Sequence, residues 1–283
     1  MEVKEYDMVF SLGFSCGTSQ ALRAAGLQFA SYPLDWTGSP GILTSANIVA
    51  NVFAGWLEAG DLELVDVRHG AGFCTRCYRN RRTGFGFSHE FSDMMPLEES
   101  FPLVRGTYVR RIERFIGQAG EARRMLAVYM ELPIRQRAPE DDMVSARRIL
   151  SERFPQADVD LLYVCVEPGR KNPELHEVAP GVFEAGFDYR KYDRGEVTHF
   201  IGWEALVPLL RANFRATDPR SDAARHERAA MERKMGDLRW GLYQGRFRRW
   251  LNKHAYKTYR SLERLLVERN LVQREGPLWF VEK

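Results

Sequence analysis

Cysteine is scarce in this chain. Four among 283 residues cannot form a disulfide framework, so stability must come from a buried core, and a reducing, cytoplasmic setting is expected. No run of 18 apolar residues occurs, which excludes a helix apolar enough to cross a membrane. The opening stretch, Met1 to Asp7, is charged and leads straight into an apolar segment, so it does not read as a signal peptide. A P-loop is missing, and Gly84-Phe-Gly86 is too short for a dinucleotide fingerprint. Cys74-Thr-Arg-Cys77 is a lone C-x-x-C whose positions point to opposite faces of an extended strand, so no metal is expected, and no cofactor either. There is no internal repeat and no low-complexity linker.

What is present is ample material for a core, with 45% hydrophobic residues, and an uneven charge distribution. The net charge of +3 divides into −6 over residues 1–210 and +9 over residues 211–283. This asymmetry suggests a domain at 1–215 followed by a basic helical extension at 216–283, with an anionic partner for the extension. Between Arg239 and Arg260 there are seven Lys or Arg and no acid, with Trp240, Tyr243, Phe247, Trp250 and His254 at helical spacing. Such a helix could lie on an anionic membrane surface as a peripheral anchor. Its aromatic stripe could equally pack on the body with the basic side in water. Nucleic acid is not expected, because the body is acidic and no binding motif occurs.

The body reads as α/β. Met8 to Leu12 forms a first strand, and a short helix follows near Thr18 to Ala25. Ser39-Pro40 opens an amphipathic helix expected to run through Ile42, Val49, Phe53 and Trp56. Leu62 to Val67, Gly72 to Tyr78 and Gly84 to Phe87 are strands, the last two joined by a polar turn as a β-hairpin insertion near residues 62–90. A long helix is predicted from Leu97 to Ile116, with Tyr108 among its apolar positions. Then Met125–Met130, Asp141–Phe154 and Asp160–Val166 read as strand, helix, strand; Val144 counts among the apolar positions of that helix. Continuous apolar strands joined by a helix imply a right-handed crossover and a mainly parallel sheet with flanking helices. Val182–Phe187 adds a strand, and a helix follows from Gly202 to Phe214.

One feature stands out chemically. The first strand runs into a glycine-flanked turn that delivers Cys16 to the first turn of a helix, beyond the carboxyl end of a strand, where open parallel sheets bind ligands. Unpaired N–H groups at a helix start favour the thiolate, the reactive form of cysteine. Gly13 and Gly17 on either side leave room for a substrate carbonyl. The alternative is a small buried cysteine of no reactivity.

A nucleophilic thiol needs a base and a group that orients it. His89, within Phe87-Ser-His-Glu-Phe91, is the first candidate for the base, or else a capping residue at a strand end. His199 is the second, within Glu196-Val-Thr-His199 just ahead of a helix, a placement like the acid–base pair of SGNH-type esterases. Asp35, within Tyr32-Pro-Leu-Asp-Trp36, is the candidate orienting carboxylate, unless it binds backbone N–H groups of the adjoining turn. Trp36 would shield the site. Arg110, Arg111 and Arg114 cluster on the long helix, where they could bind an anionic substrate or form a solvated face; Arg111 and Arg114 are the substrate-binding candidates.

Ser11-Leu-Gly-Phe-Ser-Cys16-Gly, Tyr32-Pro-Leu-Asp35-Trp36, Phe87-Ser-His89-Glu90-Phe91 and Tyr108-Val-Arg-Arg-Ile-Glu-Arg114 together resemble a bacterial family labelled putative papain-like cysteine peptidase, over about residues 7–210. The family pattern is S-L-G-x-x-C, P-F-D-W, H-D-F and R-R-I-x-R; here Leu34 replaces Phe and Glu90 replaces Asp. The resemblance implies Cys16 as nucleophile and His89 as base, in a hydrolase or acyltransferase that forms a thioester. Similar proteins tend to accompany polysaccharide genes. The parallel strands of this chain fit an SGNH-like esterase or acyltransferase in surface-polysaccharide biosynthesis, with Cys in place of Ser. A non-catalytic protein that binds glycan-assembly partners is the reading from a different class. The substrate would be a small molecule, a peptide or a glycan.

Overall fold

The computed structural model describes residues 2–14, 16–70, 73–92, 95–131, 135–193 and 196–219; the side chains at 68–74, 92 and 191–201 are not among those described. The basic extension, from residue 220 onward, lies outside the described residues.

In chain order the elements are β1 (Lys4–Tyr6), β2 (Met8–Ser11), α1 (Cys16–Ala24), a 3-10 turn (Pro33–Trp36), β3 (Thr37–Gly38) and α2 (Ile42–Ala50). Then come β4 (Leu62–Gly70), β5 (Phe73–Asn80), β6 (Gly86–Ser92), α3 (Leu97–Glu121), β7 (Arg124–Met130) and α4 (Glu140–Arg153). The last are β8 (Asp158–Val166), β9 (Glu174–Ala179), β10 (Val182–Phe187), β11 (Arg190–Asp193), β12 (Glu196–Ile201), α5 (Leu206–Asn213) and β13 (Phe214–Ala216).

The result is a mixed α/β fold. Its central sheet has the order β2-β7-β8-β10-β9, parallel except for β9. Met125 through Met130 are each fully buried, as are Leu161 through Val164, because parallel strands are covered on both faces. Each such large side chain contributes about 1.5–3 kcal/mol by leaving water. At the edge, β9 is largely exposed and carries Glu174, His176 and Glu177, whose charge discourages a further strand. Hydrophobic spacing gives no hint of this strand. In α4 the buried positions are Met143, Ala146 and Leu150, while Val144 faces solvent, one residue off the expected stripe.

A second sheet, antiparallel with the order β3-β6-β5-β4, holds the segments expected as a hairpin insertion. It includes β3, so this sheet is tied to the chain just after the 3-10 turn.

The helix expected to run through Trp56 ends earlier, at Ala50. Val52 and Phe53 have φ of 54° and 58°, and the Phe53 N–H donates to Ile48 O at 2.8 Å, which reverses the chain. A left-handed turn costs about 1–2 kcal/mol per residue without glycine. Burial of Phe53 and Trp56 offsets it. Phe53 packs edge-on against Phe115, and Trp56 edge-on against Tyr108, with ring centroids 5.7 and 4.8 Å apart. Phe115 also meets Phe10 and Tyr32 edge-on, so α3 is seated on β2 and on the approach to the 3-10 turn.

Candidate functional site

The loop after β2 stays tied to the sheet: the Leu12 N–H donates to Val128 O at 2.8 Å, and the Met130 N–H to Gly13 O at 3.4 Å. The chain then turns outward beyond the carboxyl ends of β2 and β7. The Thr18 hydroxyl donates back to Gly13 O at 3.1 Å, and the Gly13 N–H to Ser11 Oγ at 2.9 Å. These bonds hold the start of α1 over the strand end, and Cys16 is the first residue of that helix, half-buried. Gly13 has φ of +93°, and a Cβ there would stand 2.9 Å from Ser39 Cβ. A side chain at position 13 would therefore collide with Ser39, which is why glycine is needed in this loop. Gly17 is buried in the first turn of α1.

Asp35 is fully buried in the 3-10 turn. Its carboxylate accepts from Gln28 Nε2 at 2.9 Å to each oxygen, from the Tyr32 N–H at 2.8 Å and from Arg23 Nη2 at 3.3 Å. Among the described residues it meets no imidazole. These contacts match the alternative in which Asp35 binds a backbone N–H of the adjoining turn, that of Tyr32, and none of them orients a base. Asp35 is a clamp that binds α1, through Arg23, to the 3-10 turn. A buried carboxylate with this many donors is held by them, and breaking such a pair by removing one partner costs several kcal/mol. Gln28 has no sequence signature, since an isolated glutamine carries no signal.

His89 lies on β6, which pairs with β3 through Thr37 and Phe87. Beyond that register, β6 packs against the 3-10 turn, as do α1, β2 and α3. The turn is thus the hub on which the elements carrying Cys16, His89 and the arginine cluster converge. His89 is half-buried. Its own N–H donates to Glu90 Oε2 at 3.1 Å, while Glu90 Oε1 accepts from Tyr108 Oη at 2.8 Å. Glu90, buried, fastens the His89 strand to α3. In the sequence Tyr108 reads as an apolar position at the head of the arginine segment; its hydroxyl is what meets Glu90.

His199 lies in β12, a strand paired with β11, rather than in a loop entering a helix; its side chain is outside the described residues. On α3, Arg114 Nη1 donates to Ser31 O at 2.8 Å, so this guanidinium is engaged with the chain ahead of the 3-10 turn. Arg111 is only 3% exposed, its guanidinium 4.9 Å from the Tyr108 ring centroid. Trp36 is nearly covered, with the Arg23 guanidinium 5.8 Å from its ring centroid. Among the described residues no group of three His, Cys, Asp or Glu could hold a metal ion, and no helix is long and apolar enough to cross a membrane.

A different thiol sits at the carboxyl end of β8. Cys165 is buried and donates to Glu184 Oε1 at 3.1 Å, and Arg137 makes a two-pronged ion pair with the same carboxylate. Burial pushes the Cys165 thiol up to about 12, and the neighbouring carboxylate adds to the effect. Burial also pushes Glu184 upward, but the Arg137 and Cys165 hydrogen bonds outweigh it and hold the carboxyl below its usual range.

No curated protein and no solved structure matches this chain. The family described as "Putative papain-like cysteine peptidase (DUF1796)" matches residues 7–164. That span covers more than half of the 283 residues and takes in the cysteine loop, the 3-10 turn, the histidine strand and the arginine helix. The chain belongs to this family.

Proposed function

We propose that the protein is a cysteine-nucleophile acyl-transfer enzyme. The observation that carries the reading is the convergence of α1, which begins at Cys16, and β6, which bears His89, on the 3-10 turn Pro33–Trp36. In this reading the Cys16 thiol passes its proton to His89, and the sulfur attacks a carbonyl carbon. The oxyanion is met by N–H groups at the start of α1. Collapse forms a thioester and expels the leaving group, which takes the proton back from His89. A water or hydroxyl acceptor, deprotonated by His89, then attacks the thioester and restores the thiol.

Water as acceptor makes the enzyme a peptidase or esterase, in keeping with the family description. A sugar hydroxyl makes it an acyltransferase of surface-glycan assembly, a version favoured by the parallel sheet with the nucleophile following its first strand. His199 is the rival base.

The test is direct. Treatment with p-nitrophenyl acetate should place an acetyl group on Cys16, detected by mass spectrometry, with a burst of nitrophenol. Cys16→Ala should abolish the burst and His89→Gln should slow it by about 100-fold or more. A burst that survives Cys16→Ala overturns the nucleophile, and one unchanged in His89→Gln but lost in His199→Gln moves the base. Absence of any acylation, with Cys16 no more reactive than a buried thiol, favours the non-catalytic binding reading.

A further inference from the structure

The buried guanidinium of Arg111 is the most anomalous charge in the described fold. Arginine stays protonated at any ordinary pH, so burial cannot be relieved by losing the proton. A buried charge is tolerated when it is paired. Arg111 is 3% exposed, yet its Nε and Nη1 are buried and have no hydrogen-bond partner. Its described contact is with the face of Tyr108, which supplies cation–π attraction but no acceptor oxygen. Glu90, which shares Tyr108 as a neighbour, spends one oxygen on Tyr108 Oη and the other on the His89 backbone N–H, and forms no ion pair with Arg111.

The position is informative. Tyr108, one helical turn before Arg111, touches Glu90 next to His89. Arg114, three residues later, holds Ser31, and Tyr32 Oη bonds to Gln118. Arg111 therefore sits on the stripe of α3 that faces β6 and the segment leading into the 3-10 turn. A planar fork of donors is matched by two oxygens of a carboxylate or phosphate.

We infer that Arg111 is the recognition residue for an oxoanion, a carboxylate or a phosphate, carried by the substrate and seated beside the His89 strand. This deepens the acyl-transfer reading and rests on it for the word substrate. The anion site itself does not depend on thiol chemistry.

The test uses Cys16→Ala protein, so that thiol reactivity cannot enter. Melting temperature is followed in inorganic phosphate and, separately, in acetate, each up to about 50 mM, against sodium chloride at equal ionic strength. Binding at a millimolar site should raise the melting temperature by about 5 °C over chloride. The better of the two anions tells which oxoanion the site prefers. Arg111→Gln in the same background should lose the increment, and Arg111→Lys should keep part of it. If Arg111→Gln does not fold, calorimetric titration of the Cys16→Ala protein with both anions decides the matter. Neither anion exceeding chloride, or an increment undiminished in Arg111→Gln, overturns the proposal. Because the acetylation burst is measured apart, on protein with its thiol and without added phosphate or acetate, failure of one reading leaves the other standing.

Discussion

Two thiols at carboxyl ends of strands in the same sheet make an instructive pair. Cys16 opens a helix after β2, half-buried, with N–H groups of the first turn around it. Cys165, next to last in β8, is 2% exposed and points at the Glu184 carboxylate. A helix start favours a negative sulfur; burial beside a carboxylate opposes one. The chemical group is the same and its surroundings are opposite. On the proposed reading, reactivity is set by the segment that comes after the strand. A glycine turn into a helix presents the sulfur, whereas a strand that continues packing hides it.

The largest effect expected from this contrast is in alkylation. At pH 6.5 iodoacetamide should label Cys16 at least about 100-fold faster than Cys165, as read by peptide mass spectrometry. Equal rates would break the comparison.

The next effect concerns the clamp that holds the Cys16 helix. Asp35→Ala removes the carboxylate that Arg23, Gln28 and the Tyr32 N–H share and should cost about 3 kcal/mol in urea unfolding. A loss under about 1 kcal/mol would mean that the buried carboxylate is not what fastens α1. Gly13→Ala should cost about 2 kcal/mol, because φ of +93° and the contact with Ser39 both oppose a Cβ.

The smallest effect lies at the hidden thiol. The Glu184 carboxyl is depressed in the fold, so its stabilisation is present above the ordinary value of 4.5 and fades as pH falls through the folded value. Glu184→Gln should lower stability at pH 7 by about 1 kcal/mol, with the difference shrinking in acid. It should also make Cys165 somewhat easier to alkylate, while leaving it far slower than Cys16. A variant equal to wild type at pH 7 would show that the carboxylate contributes nothing there.

Much of this was legible in the residues themselves. The apolar runs of β7 and β8 announce strands covered on both faces, and the change from strand to glycine to Cys16 announces the turn. The end of α2 was hidden, because Val52 and Phe53 adopt left-handed backbone that neither residue type favours; tertiary packing of Phe53 and Trp56 imposes it. At the site, the identity of Asp35 as a buried acid was readable from its aromatic and proline neighbours. Its partners were not, since Arg23 and Gln28 lie on a helix and a loop with no periodic relation to it. The link from Glu90 to Tyr108 joins two distant segments and leaves no local pattern. Burial of Arg111 was hidden for another reason: a run of arginines on a helix ordinarily faces water, and only the packed face shows which one turned inward.

The 3-10 turn has a consequence for how this family would look to genetics. Helices α1 and α3 and strands β2, β3 and β6 lean on Pro33–Trp36, and the buried Asp35 links it to the helix that begins at Cys16. On the acyl-transfer reading, a screen for inactive variants would rank Asp35 alongside Cys16, and the ranking would invite the belief that both take part in chemistry. One would fail because its sulfur is gone, the other because the scaffold beneath that sulfur has come loose; melting curves alone would tell the two kinds of casualty apart.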